Sequence, residues 1–221
     1  KGVLVSIKPD DTALSSFDQL VYSKSKHLDF SLLFFSSQKT EEENKYQLLF
    51  DTVKYADQNN FKAVWLPERH FHEFGGIFPN PSVLGAALAS ITENIHLRSG
   101  SVVLPLHDTI RVAEEWSVVD NISKGRVSLS IASGWHPNDF VIKPDGFKNR
   151  QAAIYDYIKE LKQLWKGEQI ERVNGVGEKI KVKTFPRPIQ PELPIWITSG
   201  GNVETFKSAG RIGANILTHL L

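Results

Sequence analysis

Residues 63–81, AVWLPERHFHEFGGIFPNP, contain the unit on which the predicted fold depends. Ala63–Leu66 is a short apolar run, which is typical of a strand buried on both faces. Asn80 and Pro81 combine a helix cap with a proline in the first turn, so they predict the start of a helix. The polar stretch between them is the connecting loop.

The same cycle of strand, loop and helix repeats on both sides of this unit. Further strands are predicted at Asp29–Phe35, Ile95–Leu104, Arg126–Ala132, Pro194–Thr198 and Ala214–Leu217. The other helices are predicted after the capping box Thr40–Glu43, after Asp108, before Gly167 and over Asn202–Arg211. Glu168–Lys183 alternates in a way that predicts a hairpin. Strands that alternate with helices indicate a parallel sheet, either open or closed into a barrel.

Composition excludes several classes of function. The formal net charge is +1, so no global field recruits nucleic acid or an acidic membrane. Cysteine is absent, which excludes disulfides, thiolate zinc sites and a cysteine nucleophile. No apolar run approaches the roughly 20 residues of a membrane span. The N-terminal residues lack the pattern of a signal peptide, and methionine is absent, so we expect a piece of a longer protein.

Polar segments follow the predicted strands, and in parallel α/β folds such segments build the site. Four of the seven histidines, His70, His72, His136 and His219, lie in these segments. His70 and His72 have three interpretations. They can bind a metal ion, as in barrel hydrolases. Glu68, Arg69 and His72 can instead pair with one another on the loop. A strand-end histidine can also donate a proton.

Two further segments have alternative interpretations. Ser199-Gly200-Gly201-Asn202 precedes a predicted helix, which suits a bound phosphate but equally suits a tight turn with Asn202 as an ordinary cap. Trp135 follows Gly134 in a loop, where it can wall a flat aromatic ligand or belong to the core.

The order of these segments resembles that of bacterial-luciferase-like flavin-dependent monooxygenases. The resemblance rests on residues 64–75 (VWLPERHFHEFG), 102–107 (VVLPLH), 111–115 (RVAEE) and 119–126 (VDNISKGR). Residues 132–140 (ASGWHPNDF) are similar to one branch, the monooxygenase domains of nonribosomal peptide and polyketide assembly lines.

The resemblance implies a TIM (β/α)₈ barrel, of which this chain holds about the first six β/α units. We expect residues 1–27 to be a linker or tail with one short strand, Val3–Ile7, and residues 28–221 to form the barrel domain. The family binds reduced FMN supplied by a separate flavin reductase. Oxygen then adds at the flavin C4a position, and the resulting peroxide oxidises the substrate. The resemblance also implies a substrate tethered to a carrier-protein domain. We further expect a cytoplasmic enzyme and consider a homodimer.

The resemblance also implies roles for particular residues. Gly100-Ser101 matches a site where the family often has a cis peptide under the flavin ring. His70 matches one of two adjacent histidines in the luciferases, and Arg69 replaces the other, so light emission from an aldehyde is not expected. We expect His70 to move a proton, with Arg69 and Glu68 orienting it. The remaining expected cofactor contacts are Ser133, Trp135, Asn138 and Asp139 near the ring, and Gly200, Gly201, Asn202 and Thr205 at the phosphate.

The leading hypothesis is therefore an FMNH₂-dependent monooxygenase that hydroxylates its substrate or inserts oxygen in a Baeyer–Villiger manner. Three alternatives stay open. The same barrel can use a deazaflavin as a dehydrogenase, it can be a metal-dependent hydrolase that uses His70 and His72, or the chain can be an inactive docking domain.

Overall fold

The computed structural model describes residues 3–6, 28–35 and 43–219 of the 221-residue chain. Within these ranges the strands are β1 (Val3–Ser6), β2 (Asp29–Leu33), β3 (Ala63–Leu66), β4 (His96–Val103), β5 (Val127–Ala132), β6 (Ile170–Val173), β7 (Lys179–Val182), β8 (Ile195–Thr198) and β9 (Asn215–Leu217). The helices are α1 (Gln47–Gln58), α2 (Pro81–Ala89), α3 (Thr109–Ser123), α4 (Arg150–Lys166) and α5 (Val203–Arg211).

The main sheet has the strand order β1-β2-β3-β4-β5-β8-β9. From β2 to β9 every neighbouring pair is parallel, while β1 pairs antiparallel with β2. The sheet is curled into a half-barrel, so the predicted α/β fold with a parallel sheet is confirmed. β6 and β7 form a separate antiparallel pair, which confirms the predicted hairpin.

The strand predictions fail only at the ends of strands. β2 ends at Leu33, two residues before the predicted end at Phe35. β4 ends at Val103, because Leu104–Leu106 form a 3₁₀ turn. Pro105 lies in that turn and has no N–H with which to continue a ladder.

The local signals at the helix ends are mostly confirmed. The side chains of Asn80 and Asp108 accept hydrogen bonds from the first turns of α2 and α3. α4 ends at Gly167, whose φ of +86° is a conformation that favours glycine. The predicted capping box at 40–43 lies outside the described residues except for its last member. α1 begins at Gln47, later than that box indicates.

The sheet is buried on both faces, as expected for parallel strands. One face packs against the helices through apolar side chains that include Val64, Leu66, Leu97, Leu129, Ile131, Ile195 and Ile197. The concave face carries a smaller apolar cluster of Leu33, Trp65, Trp196 and Leu217. Residues on the two faces alternate along each strand, so the concave side chains form the interior of the half-barrel.

The tail predicted at residues 1–27 contains β1, which joins the edge of the main sheet. Residues 7–27 lie outside the described part of the chain, and the division at residue 28 stays a prediction. Among the helices that the structure describes, none has both the length and the apolar character needed to cross a bilayer.

The buried carboxylate of Asp120 on α3 anchors the long connection between β7 and β8. Its Oδ2 accepts hydrogen bonds from the backbone N–H groups of Ile189 (2.6 Å) and Gln190 (3.0 Å), and its Oδ1 accepts from the Gln190 side-chain amide (2.7 Å). Asp120 is 0% exposed, so the carboxylate replaces water for all three donors.

We predict that Asp120→Ala lowers the free energy of unfolding by about 3 kcal/mol, because three donors lose their acceptor and a cavity replaces a buried side chain. Urea denaturation followed by circular dichroism measures this loss. Asp156→Ala, at an exposed position on α4, is the matched control and should change stability by less than about 0.5 kcal/mol. Equal stability of the two variants would contradict the anchoring role.

Candidate active site

Parallel strands place their carboxyl ends at one edge of the sheet, and the polar segments predicted from the sequence meet there. Residues 67–76 follow β3, residues 104–108 follow β4, and residues 133–140 follow β5. Residues 199–202 follow β8. The candidate site is this shared edge together with the adjoining concave face.

The carboxylate of Glu68 is the centre of this edge, and its side chain is only 1% exposed. Its Oε1 accepts from Nε2 of His70 (2.7 Å) and from Nε2 of His107 (2.6 Å). Its Oε2 accepts from the backbone N–H of Val103 (2.7 Å). One buried carboxylate therefore joins the end of β3 to the end of β4.

These contacts shift two pKa values in opposite directions. Burial alone would raise the pKa of Glu68, but hydrogen bonds from His107, His70 and the Val103 N–H outweigh burial, so the pKa lies below its ordinary value. Burial alone would lower the pKa of His107, but its bond to Glu68 and the charge of that carboxylate raise it above its ordinary value. Glu68 is therefore ionised near neutral pH.

The ionised carboxylate determines which ring nitrogen of His70 is free to react. A carboxylate only accepts hydrogen bonds, so Nε2 of His70 carries the donated hydrogen. Nδ1 is then the nitrogen that can exchange a proton with a ligand. The His70 side chain is 12% exposed, which leaves it accessible at the edge of the site. This geometry supports the predicted orienting role of Glu68.

His107 is a candidate site residue that the sequence interpretation did not include. It follows β4 as His70 follows β3, so its position at a strand end is the signal that indicates it. Lys143 Nζ donates to the backbone carbonyl of His107 (2.9 Å), which ties the loop after β5 to the same place.

The contacts of Arg69 and His72 lie within the loops around the site. The guanidinium carbon of Arg69 lies 5.0 Å from the ring centroid of Trp135, so Arg69 stacks on an indole, and its orienting role toward His70 stays a prediction. His72 accepts a hydrogen bond at Nδ1 from the Phe74 N–H (3.1 Å). The alternative in which Glu68, Arg69 and His72 pair with one another is therefore wrong, since Glu68 bonds to His70 and His107. Within the described ranges, no three side chains of metal-binding type come close enough to hold a metal ion.

The Gly100–Ser101 peptide bond is cis, which is the geometry expected at this position. The Ser101 hydroxyl forms a hydrogen bond with the hydroxyl of Thr198 on β8, and Thr198 Oγ1 lies 2.6 Å from Ser130 Oγ on β5. Three strands thus share a chain of hydroxyl groups on the concave face. Thr198 and Ser130 were not predicted from the sequence, because residues adjacent across a sheet are far apart along the chain.

The loop after β5 places an aromatic side chain in solvent. Trp135 is 68% exposed, so it is not a core tryptophan. Ser133 is half-buried and Asn138 is exposed. Asp139 is buried, and its Oδ1 lies 3.9 Å from Nδ1 of His136. Trp135 lies at the candidate site because its ring contacts Arg69. Asp139 instead lies near His136 of its own loop.

The loop after β8 has the geometry of a helix cap. The Asn202 side chain accepts from the N–H groups of Glu204 (2.9 Å) and Thr205 (3.3 Å). Gly201 has φ +104°, and an added side-chain carbon there would meet nothing within 4 Å. Gly200 is exposed as well. The cap interpretation of Asn202 is confirmed, and Gly201 leaves open space beside it, while a side-chain carbon at Gly200 would contact the ring of His219 (3.8 Å).

A parallel α/β half-barrel with polar side chains gathered at the carboxyl ends of its strands has the arrangement in which barrel enzymes build their sites. The family described as luciferase-like monooxygenase matches residues 28–221. The chain belongs to this family.

Individual relatives agree with this assignment. The oxygenase component of a flavin-dependent trigonelline monooxygenase from Acinetobacter baylyi is 30% identical over 176 residues, 77% of this chain and 48% of that protein. An F420-dependent glucose-6-phosphate dehydrogenase from Amycolatopsis mediterranei is 30% identical over 74% of this chain and 51% of its own length. The chain therefore spans about half the length of these relatives.

A solved structure supports the fold. The oxygenating constituent of 3,6-diketocamphane monooxygenase from Pseudomonas putida, in complex with FMN, has a TM-score of 0.73 at 18% identity. The match covers 86% of this chain and 57% of that one.

We predict that Glu68→Gln lowers the pKa of His107, because it removes the carboxylate that stabilises the imidazolium. NMR titration of the histidine ring protons measures the change, with His107→Gln used for assignment. An unchanged His107 titration would contradict the pairing.

The pKa shifts of Glu68 and His107 also predict the pH range in which their contact stabilises the fold. The contribution of His107 is full below its usual pKa of 6.5 and is lost as pH rises through its raised value. The contribution of Glu68 is full above its usual 4.5 and is lost as pH falls through its lowered value. The stability difference between wild type and Glu68→Gln should therefore be largest between pH 4.5 and 6.5.

Proposed function

We propose that the whole protein is an FMNH₂-dependent monooxygenase that oxidises a carrier-protein-tethered intermediate in secondary metabolism. The observation that carries this proposal is the Glu68–His70 pair at the mouth of the half-barrel, in a chain that belongs to the luciferase-like monooxygenase family. In this proposal the complete protein closes the eight-unit barrel, of which this chain supplies about six units.

The groups at the strand ends fit a flavin. The concave face offers hydroxyl groups from Ser101 and Thr198, which can bond to the polar edge of the ring. The Arg69–Trp135 stack offers a flat aromatic surface. The open backbone at Gly201 leaves room for a phosphate. Reduced FMN would supply the electrons that activate oxygen.

Individual residues have the following proposed roles. His70 moves a proton at Nδ1, and Glu68 holds its ring through Nε2. His107 bonds to the same oxygen of Glu68 and so positions that carboxylate. Arg69 positions Trp135. The residues proposed to line the ring are Gly100, Ser101, Ser133, Trp135, Asn138 and Asp139, and those proposed around the phosphate are Gly200, Gly201, Asn202 and Thr205.

The proposed partners rest on separate observations. A flavin reductase is supported by the relative that is itself the oxygenase component of a flavin-dependent monooxygenase. The carrier-protein domain is supported by the similarity of residues 132–140 to assembly-line domains. A homodimer is supported by the exposed apolar side chains Val83, Val118 and Ile122 on the outer face of α2 and α3.

We predict that His70→Gln in the whole protein lowers coupled oxidation about 10²-fold or more, since it removes the proton-moving group. The readout is the oxygen consumed but not released as hydrogen peroxide, in the presence of a flavin reductase and a panel of acyl thioesters. His72→Gln is the matched control, because this exposed neighbour bonds only to its own loop in the described structure. Equal losses of coupled oxidation in both variants would contradict the proton-moving role of His70.

We predict that Gly200→Asp weakens FMN binding about tenfold, because a carboxylate at the start of α5 repels the phosphate. Riboflavin lacks the phosphate, so its affinity should change by less than about twofold. Fluorescence titration of both ligands with the whole protein measures the difference. Equal weakening of both would show that Gly200 does not face a phosphate.

The second candidate is a deazaflavin-dependent dehydrogenase, which the similarity to the F420-dependent relative favours. Competitive titration of FMN against F420 separates the two functions. Tighter binding of F420 would overturn the monooxygenase proposal.

A further inference from the structure

Arg98 on β4 is a buried cation on the concave face of the half-barrel. It is 8% exposed, and its guanidinium carbon lies 5.0 Å from the ring centroid of Trp65 and 4.9 Å from that of Trp196. The two indole rings meet edge to face, with centroids 5.0 Å apart. Two tryptophans from β3 and β8 therefore enclose one positive charge.

The polar groups around this charge are incompletely satisfied. In the part of the chain that the structure describes, Nε and Nη1 of Arg98 have no hydrogen-bond partner, and neither have Trp65 Nε1 and Ser128 Oγ. Burial lowers the pKa of Arg98 to about 10, and the charge of Asp29 partly offsets that effect. Arg98 is therefore charged near neutral pH, and two of its guanidinium nitrogens are buried without a hydrogen-bond partner among the described residues.

Arg98 lies directly beneath the candidate site. It is level with Trp65 and Ser128 in the sheet register, and Gly100–Ser101 follow it on the same strand. At about 3.3 Å per residue, Ser101 is roughly 10 Å further along β4. The hydroxyl chain of Ser101 and Thr198 thus forms the layer between Arg98 and the strand ends.

We propose that Arg98 supplies the positive charge that makes the site prefer reduced flavin to oxidised flavin. This inference rests on the proposed FMN function. The ring of oxidised flavin is neutral, whereas the ring of reduced flavin ionises near neutral pH to an anion. A fixed cation behind a low-dielectric wall attracts only the anion, so it separates the affinities of the two forms.

A purely structural role for Arg98 leads to a different expectation. If the guanidinium only fills space between Trp65 and Trp196, a methionine side chain of similar length can replace it. The Arg98→Met variant should then bind both flavin forms as tightly as the wild type does. If the charge matters, Arg98→Met should weaken binding of reduced FMN alone. Arg98→Lys keeps the charge and should restore the preference.

The test is anaerobic titration of the whole protein with oxidised and with reduced FMN, followed by tryptophan fluorescence. The wild type should bind reduced FMN more tightly. Arg98→Met should lower the ratio of the oxidised to the reduced dissociation constant roughly tenfold, and Arg98→Lys should keep it within about threefold. Lys159→Met, at an exposed position on α4, removes the same charge far from the site and should leave the ratio unchanged.

Asp29→Asn tests the same charge in the opposite direction and leaves the Arg98 side chain in place. It removes the carboxylate that opposes the Arg98 charge, so the ratio should rise about threefold. This variant decides the question if Arg98→Met fails to fold. An unchanged ratio in Asp29→Asn, or in a folded Arg98→Met, would overturn the inference. Failure of the wild type to bind either form of FMN would overturn the proposed function instead.

Discussion

The ionised carboxylate of Glu68 is the interaction on which the candidate site depends. It is buried, and it accepts one backbone and two imidazole hydrogen bonds. Because these donors come from the ends of β3 and β4, the same contacts that satisfy the carboxylate also fix the spacing of two strand ends. Loss of any donor would leave a buried negative charge incompletely bonded, so the geometry around His70 is tied to the stability of the sheet edge.

Much of the fold was predictable because its signals are local. The apolar run of Ala63–Leu66 and the Asn80-Pro81 start of α2 are each specified by residues within one turn or strand. The error at the end of β4 came from Pro105, whose effect depends on ladder hydrogen bonds, and those are not visible in a pattern of apolar residues. The number of units in the complete barrel lies beyond what such local signals determine.

The candidate site was predictable only in part. Strand-end position identified Glu68, His70 and Trp135, since parallel strands bring such residues to one edge. The pairing of Glu68 with His107, the stacking of Arg69 on Trp135 and the Ser101–Thr198 bond were missed. Each of these contacts joins residues that lie on different strands or loops, and only the sheet register reveals them.

The β6–β7 hairpin has a consequence for how sequences of this kind can diverge. It forms its own two-stranded sheet, and Glu160 on α4 bonds to Arg172 at one end while Asp120 holds the connection at the other. β5 and β8 pair directly without it. Doubling the length of such a connecting segment costs only about 0.6 kcal/mol in loop-closure entropy. Insertions and deletions can therefore accumulate here without changing the register of the strands that carry the chemistry.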